Sequence, residues 1–306
     1  MSDKPVIGFI GVGLMGHGMA KNIVEKGYPL FIKGNRNRQP VDDLVGRGAT
    51  EVATPREMAA QCDIIHLCLS NSPQIEAVYE GEDGLLAGAR PGLIVIDTST
   101  ADPTSTMRLA EALAQKGGSL VDAPLGRTPK EAEAGTLDAM VGASDADFAK
   151  VLPVIECWAG NINHVGETGA GHKMKLLMNF ISMSYAALYA EATVLGAKVG
   201  ISPQTVQKVI GSSRLSNGFF DTFMNYAVDR NKDAHKFSIA NAAKDVRYAN
   251  AMAAQAGAVS VIGAATQQYF QHVEAIGHGG DYVPWLSDHV ARLNGVDLAE
   301  EVEKGK

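Results

Sequence analysis

Two polar side chains, Lys175 and Asn179, interrupt the most apolar part of this chain. Over residues 176–199 nearly every position is apolar or small, which predicts a buried helix with neighbours on most of its sides. Residues four apart project from the same helical face, so the amine and the amide can meet one ligand together. A buried ammonium needs a partner, and a lysine in such a place could take up or deliver a proton. The alternative is a lysine in a solvated first turn that extends to water.

A second chemical pattern stands near the start of the chain, where glycines follow an apolar strand. Residues 6–10 predict a strand covered on both faces, and residues 11–16 have the spacing G-x-G-x-x-G before a helix. We expect Gly11 to form the tight turn, Gly13 to admit a pyrophosphate, and Gly16 to let the helix pack closely on the strand. The helix N-terminus would then offer free N–H groups to the phosphates. The predicted cofactor contacts in this loop are Gly11, Gly13, Leu14, Met15 and Gly16.

The loop after the second strand bears on the type of dinucleotide. An NAD site usually has an acidic residue at the end of this strand, Leu30–Lys33, to hold the ribose hydroxyls. This chain has Asn35, Arg36 and Arg38 there instead, and a planar guanidinium suits the additional 2′-phosphate of NADP. We predict NADP, with NAD possible and a plain basic surface turn as the alternative.

Strands and helices continue to alternate as far as residue 167. Further apolar strands are predicted at residues 64–69, 93–97, 119–123, 139–142 and 162–165. This alternation predicts a mostly parallel, doubly wound sheet of the Rossmann type. Ligands bind at the carboxyl ends of the strands in such sheets. The residues expected at the reactive end of the cofactor are therefore Leu69, Ser70, Asn71, Thr100 and the loop from Pro124.

After Gly169 the sequence predicts helices and no strands. We expect helices over residues 203–211, 238–256, 261–276 and 284–294, and a frayed, charged tail over residues 297–306. The predicted fold is α/β, with a Rossmann domain at 1–167 followed by an all-α domain at 168–306. The long interdomain helix joins them. Alanine-rich helical faces, which can pack closely against a second copy, favour a homodimer or a homotetramer.

Composition excludes several classes of function. A formal net charge of -7 and the lack of a basic stripe argue against nucleic-acid binding. The three cysteines and eight histidines show no metal-ligand spacing, so we expect no metal. The odd number of cysteines fits a reduced, cytoplasmic setting. Neither a signal peptide nor a membrane span is expected, because polar residues interrupt the most apolar run.

Several separated motifs, taken in order, resemble the β-hydroxyacid dehydrogenase family, which includes 3-hydroxyisobutyrate dehydrogenase and the glyoxylate/succinic semialdehyde reductases. They are residues 8–16, Asp122-Ala123-Pro124, Gly135-Thr136-Leu137, the stretch from Gly169 to Asn179, and Lys244-Asp245. The resemblance implies that Lys175 is the catalytic lysine and that Asn179 is its hydrogen-bonding neighbour. It also implies that Thr100 lies near the nicotinamide and that Lys244 closes over the cofactor.

The expected substrate loop departs from the family pattern. The family usually carries Ser-Gly-Gly after Asp-Ala-Pro, whereas the loop here contains Gly126, Arg127 and Thr128. This Gly-Arg-Thr loop is similar to that of the sulfolactaldehyde reductase branch. Its guanidinium and hydroxyl suit the anionic end of a carboxylate, a sulfonate or a phosphate. The alternative is that Arg127 only pairs with Glu131 or Glu133.

Together these features predict an oxidoreductase that moves a hydride between NADP(H) and a small anionic β-hydroxyacid or semialdehyde, with Lys175 as general acid/base. Met178 stands where the family usually has an asparagine, so the pocket should be more apolar there. This second departure leaves the choice between carboxylate and sulfonate open. An imine reductase and a non-catalytic NADP-binding sensor are the alternatives, and neither needs the lysine.

Overall fold

The chain folds into two compact units. The computed structural model describes residues 4–306, and the units divide between Lys175 and Leu176. The boundary predicted at 167/168 lies just before the helix in which this division falls. No helix within residues 4–306 is long and apolar enough to cross a membrane.

Residues 4–175 build the first unit on a nine-stranded sheet. Its strands are β1 (Ile7–Ile10), β2 (Leu30–Lys33), β3 (Thr50–Glu51), β4 (Ile64–Leu67), β5 (Ile94–Asp97), β6 (Ser119–Asp122), β7 (Leu125–Gly126), β8 (Leu137–Gly142) and β9 (Ala159–Gly166). Their order is β3-β2-β1-β4-β5-β6-β8-β7, with β9 beside β8. Neighbours from β3 to β6 are parallel, whereas β8 runs antiparallel to β6 and β7. The mostly parallel, doubly wound sheet is confirmed, and the strand order reverses between β1 and β4, where ligands bind in such sheets.

Helices and apolar side chains cover both faces of this sheet. The helices are α1 (Gly16–Glu25), α2 (Gln39–Gly46), α3 (Pro55–Gln61), α4 (Ser72–Tyr79), α5 (Leu85–Gly88), α6 (Pro103–Ala114), α7 (Pro129–Ala134) and α8 (Asp145–Ile155). Side chains alternate along a strand, so Ile94 and Ile96 belong to one apolar layer and Val95 to the other. Because both layers are buried, the strands appear in the sequence as continuous apolar runs.

The second unit is helical. Its elements are the greater part of α9 (Ala170–Lys198), then α10 (Pro203–Gly211), α11 (Gly218–Ala227), α12 (Ile239–Gln255), α13 (Val261–Val273), α14 (Leu286–Leu293) and α15 (Leu298–Lys304). A π-helical turn over Glu274–His278 follows α13, and a short 3-10 turn over Val283–Trp285 precedes α14. One apolar core, which includes Phe220, Phe223 and Phe270, joins these helices.

The predicted burial of α9 on most sides is wrong for this chain. Met183 and Ala190 are buried, but Leu188 is 57% exposed and Leu195 is 63% exposed. One outer face of α9 therefore remains apolar and uncovered, and we call it the α9 outer face: Leu177, Ile181, Leu188 and Leu195. An apolar run in a sequence records that a side chain is apolar, not which neighbour covers it.

The predicted frayed tail is also wrong. Asp297 caps α15 by accepting the N–H of Glu300 at 3.1 Å, and Leu298 and Val302 are buried in or against the helical unit. Leu298 and Val302 are four residues apart, which is the spacing of a short amphipathic helix, but the high charge of the segment led to the prediction of a frayed tail.

Candidate active site

Each glycine of the loop between β1 and α1 has its own physical reason. Gly11 has a φ of 101°, and a Cβ there would lie 2.2 Å from the carbonyl oxygen of Cys68. A Cβ on Gly16 would lie 2.0 Å from the carbonyl oxygen of Gly11, so only glycine lets α1 begin this close to β1. A Cβ on Gly13 would meet no atom of residues 4–306 within 4 Å, which leaves that side open to a phosphate. These geometries agree with the roles that the spacing predicts for Gly11 and Gly16, and the open side of Gly13 leaves room for a phosphate.

The two arginines after β2 differ in what they contact. Arg38 donates hydrogen bonds of 2.7 Å from each terminal nitrogen to the carboxylate of Glu51. The hydrogen bond from Arg38 holds the pKa of Glu51 below its ordinary value, against the effect of burial. Arg36 is exposed beside Asn35, and its guanidinium has no partner among the described residues. Of the two arginines, Arg36 can therefore accept a 2′-phosphate without giving up an existing pair.

A hydrogen bond joins the loops that follow the carboxyl ends of the neighbouring strands β4 and β5. The hydroxyl of Ser99 accepts the N–H of Leu69 at 2.9 Å. Asn71 caps α4, because its side-chain oxygen accepts an N–H of the first helical turn at 3.0 Å. Leu69, Ser70, Asn71 and Thr100 thus follow neighbouring parallel strands, as the sequence predicts. The amide oxygen of Asn71 is already engaged in starting the helix.

A buried carboxylate at the end of β6 fixes the start of α9. Asp122 is fully buried, and its oxygens accept the backbone N–H groups of Gly169 at 2.5 Å and His172 at 2.6 Å. Burial raises the pKa of Asp122, while the nearby His172 and the two N–H donors act in the opposite direction. Because α9 begins at Ala170, this carboxylate caps the helix on which half-buried Lys175 lies. The sequence places Asp122 within a motif but assigns it no role; its signal is a carboxylate that ends an apolar strand.

The first turn of α9 is held from a second side by His172. Its ring is fully buried, and Nδ1 lies 2.7 Å from the hydroxyl of Thr106 on α6. Nε2 of the same ring lies 3.9 Å from Asp97 at the end of β5. Two elements of the first unit therefore orient the turn that precedes Lys175.

The loop after β7 holds Arg127 in a backbone conformation that side chains rarely adopt. Its φ is 76°, in the left-handed region. Its Nε donates to Asp138 at 3.0 Å, and the side chain is 49% exposed. The alternative pairing with Glu131 or Glu133 is therefore wrong. Glu131 instead accepts hydrogen bonds from the N–H and the hydroxyl of Thr128, so this hydroxyl helps to start α7.

In the second unit, one carboxylate joins two of the predicted site residues. Nδ2 of Asn179 donates to Oδ2 of Asp245 at 2.5 Å. Nζ of Lys244 lies 3.1 Å from Oδ1 of the same group. Asn179 and Asp245 are both buried, and Met178 beside them on α9 is 41% exposed. In the sequence Asp245 stands out only as the residue after Lys244, and nothing there points to this contact, which joins α9 to α12.

Three further polar side chains, which the sequence spacing leaves apart, meet after α13. Nδ1 of His278 and Nε2 of His289 lie 3.2 Å and 2.9 Å from one oxygen of Asp281, a grouping that metal ligands also form. His289 is buried, and its Nδ1 has no hydrogen-bond partner within residues 4–306. Metal binding through Nε2 would move the ring proton to Nδ1 and leave a buried N–H without an acceptor. The hydrogen bond from His289 and the ion-pair contact of His278, both to the Asp281 carboxylate, therefore account for this cluster better than a metal does.

Comparison with known families gives matches to both units. The family model described as the NAD binding domain of 6-phosphogluconate dehydrogenase matches residues 6–166. The model described as NAD-binding of NADP-dependent 3-hydroxyisobutyrate dehydrogenase matches residues 169–286.

Individual relatives agree with these matches. The chain is 40% identical over 213 residues to 2-(hydroxymethyl)glutarate dehydrogenase from Eubacterium barkeri, covering 70% of each chain. It is 32% identical to 3-sulfolactaldehyde reductase from Escherichia coli, over 89% of this chain and 91% of the relative. Among solved structures, 3-hydroxyisobutyrate dehydrogenase from Mycobacterium tuberculosis with L-serine superposes with a TM-score of 0.84. That pair is 27% identical and covers 94% of this chain and 99% of the other.

Proposed function

Because this chain belongs to the β-hydroxyacid dehydrogenase family, we propose that it moves a hydride between NADP(H) and a small anionic β-hydroxyacid or the corresponding semialdehyde. Members of this family are NAD(P)-dependent enzymes of hydroxyacids and semialdehydes. One observation is the main support for hydride transfer with Lys175 as the acid/base. The first unit contains both the open glycine loop and the helix turn, capped by Asp122, that leads to Lys175.

Lys175 is proposed as the general acid/base. When bound, the nicotinamide supplies or accepts the hydride. A carbonyl carbon that accepts the hydride leaves an alkoxide oxygen, which the Lys175 ammonium stabilises and then protonates. In the oxidative direction the neutral amine of Lys175 removes the hydroxyl proton. Asn179 follows four residues later on the same helical face and offers amide hydrogen bonds to the same ligand.

NADP is the proposed cofactor, and this preference rests on the loop after β2. Arg38 is engaged by Glu51, so the proposal places the 2′-phosphate on Arg36. The glycine loop would hold the pyrophosphate at Gly13 and at the N-terminus of α1. The proposed role of Lys244, from the family resemblance, is to close over the bound cofactor.

Arg127 is the proposed anchor for the anionic end of the substrate. A residue with a Cβ in the left-handed region carries strain, and such strain recurs at functional sites; Arg230, which has no place in the proposed reaction, shares this conformation, so the exposed guanidinium of Arg127 in the predicted substrate loop is the main support. The relatives act on compounds of this kind: the Eubacterium barkeri enzyme is named for a glutarate and the Escherichia coli enzyme for a sulfolactaldehyde. A sulfonate is the second candidate, favoured by the Gly-Arg-Thr loop, whereas Met178 supplies no polar contact to either group.

Consumption of NADPH with a panel of carbonyl acids tests this proposal. The panel contains glyoxylate, succinic semialdehyde, tartronate semialdehyde and sulfolactaldehyde, and the variants are Lys175→Ala and the control Lys173→Ala on the same helix. We expect Lys175→Ala to lower kcat by about 100-fold to 10,000-fold, as for loss of a general acid, with NADPH affinity retained. Lys173→Ala should stay within a few-fold of the wild type. Full activity of Lys175→Ala would remove the catalytic assignment, and NADPH binding without turnover of any carbonyl would favour a sensor.

A further inference from the structure

One carboxylate in the second unit is buried between two polar residues that the proposed reaction uses. Asp245 on α12 is 1% exposed, and each of its oxygens has a different neighbour. Oδ2 accepts a hydrogen bond from Asn179 on α9, whereas Oδ1 makes no hydrogen bond within residues 4–306 and lies 3.1 Å from the ammonium of Lys244 as an ion pair. Adjacent residues on a helix do not normally face each other, so the Lys244 side chain must turn back to reach this carboxylate.

The chemistry of this contact fixes which way the amide of Asn179 points. An ionised carboxylate only accepts hydrogen bonds, and an amide side chain has one donor end and one acceptor end. The donor end must therefore face Asp245, which turns the Asn179 carbonyl oxygen away from it. That oxygen is then the end that can accept a hydrogen bond from an ammonium or from a substrate hydroxyl.

The charge of Asp245 also requires Lys244. A buried carboxylate without a cation is costly by several kcal/mol, and a neutral amide such as Asn179 cannot offset that charge. The side chain of Lys244 is only 11% exposed, so the ammonium too needs its partner. Asp245 thus contacts both the amide of Asn179 and the ammonium of Lys244, which also lies 5.6 Å from the centre of the Tyr248 ring.

We propose that Asp245 is a positioning residue, which sets the amide orientation of Asn179 and the place of the Lys244 ammonium at the same time. This inference rests on the proposed function, because it is there that Asn179 and Lys244 have their roles. The proposed role of Asp245 involves no contact of its own with substrate or cofactor. Replacing a carboxylate with only a structural role would lower the stability of the fold but would leave kcat and the affinity for NADPH unchanged.

The test compares the buried carboxylate of Asp245 with a partly buried carboxylate of the second unit, that of Asp288. Asp245→Asn keeps the size of the side chain but removes its charge and presents a mixed donor and acceptor to Asn179. Asp288→Asn is the matched control, because Asp288 pairs with Arg230 at 2.7 Å and accepts from Tyr226 at 2.7 Å, and neither partner has a place in the proposed reaction. The measurements are kcat, KM, the pH profile of kcat, the Kd for NADPH and the thermal midpoint.

We expect Asp245→Asn to lower kcat by up to about 100-fold, the effect of a small misplacement of a reacting group, and to weaken NADPH binding. Adding Asn179→Ala to Asp245→Asn should lower kcat by much less than Asn179→Ala does alone, because both changes remove one interaction. Asp245→Glu, which keeps the charge, should restore part of kcat. Asp288→Asn should lower the thermal midpoint and leave kcat and the Kd for NADPH unchanged.

The outcomes separate this inference from the proposed function. If the wild type is active, Lys175→Ala is inactive and Asp245→Asn matches the wild type in kcat, pH profile and Kd, the role of Asp245 is refuted alone. Additive effects of Asp245→Asn and Asn179→Ala would refute it as well. If the wild type turns over no carbonyl, the proposed function fails, and the role of Asp245 is tested by NADPH binding alone. Asp245→Asn should then weaken NADPH binding in the wild type but cause no further loss in a chain that already carries Lys244→Ala. An unchanged NADPH affinity would then overturn the inference.

Discussion

Replacing Arg127 with glycine and with alanine separates the function of its side chain from the strain of its backbone. A residue with a Cβ in the left-handed region costs roughly 1–2 kcal/mol, and the φ of 76° lies in that region. Glycine relieves this strain but adds roughly 0.5–1 kcal/mol of unfolded-state freedom. From the midpoints of these two ranges, we expect Arg127→Gly to be more stable than Arg127→Ala by about 0.75 kcal/mol, the reverse of the usual order of these residues.

The same two variants should lose substrate affinity equally. Both lose the ion pair between Arg127 and Asp138, whose side chains are 49% and 30% exposed; such a pair contributes about 0–1 kcal/mol to stability. Both also lose the guanidinium, and a hydrogen bond to a charged group contributes about 1.5–3 kcal/mol. At about 1.4 kcal/mol for each tenfold change, KM for an anionic carbonyl should rise by about 10-fold to 150-fold in both variants.

Urea unfolding and steady-state kinetics with one anionic and one neutral aldehyde measure these two effects. Arg108→Ala is the matched control, because its side chain is 52% exposed and also pairs with carboxylates, yet it has no place in the proposed reaction. Its KM should not change. An alanine variant as stable as the glycine variant would refute the strain argument. An equal rise in KM for the neutral aldehyde would refute the anchor.

Three further predictions concern the cofactor, acid stability and assembly. Arg36→Ala should weaken NADPH binding by about 10-fold or more and leave NADH nearly unchanged, because only NADPH has the 2′-phosphate; Arg38→Ala should affect both cofactors through the loop. Burial lowers the pKa of His66 to about 3, so the unfolded chain binds a proton near pH 6.5 that the folded chain does not bind. Wild-type unfolding free energy should then fall by roughly 2 kcal/mol more than that of His66→Phe as the pH is lowered from about 6.5 to about 4.5. We propose a homodimer or homotetramer that covers the α9 outer face, so Leu188→Glu should lower the mass measured by light scattering.

Each of these has a result that would contradict it. Isothermal titration that finds equal losses for NADPH and NADH in Arg36→Ala would place the 2′-phosphate elsewhere. Parallel pH curves for wild type and His66→Phe would mean that another group controls acid unfolding; the variant also loses the acceptor of the Trp158 indole N–H, which lowers stability equally at every pH. A monomeric wild type, or a Leu188→Glu variant of unchanged mass, would leave the α9 outer face without the proposed partner.

Features that depend on neighbouring residues along the chain follow from the amino-acid order alone. Two-sided burial of parallel strands makes apolar runs, so these runs locate the core of the sheet in the sequence. The reasons for Gly11, Gly13 and Gly16 also lie in a few consecutive residues, and their spacing predicts them. The boundaries of α10 and β2 follow from proline, serine and glycine signals at their ends.

The pairing of polar groups, in contrast, depends on how the chain folds in three dimensions. Arg38 could not be assigned to Glu51, nor Arg127 to Asp138, because the sequence offers several carboxylates at similar distance along the chain. The hydrogen-bonded residues that position the site are even further apart along the chain. Asp122 bonds to His172, 50 residues later, and Asn179 bonds to Asp245, 66 residues later. Hydrogen bonds act over about 3 Å in space, and the chain distance between the two groups carries no information about that separation until the fold is formed.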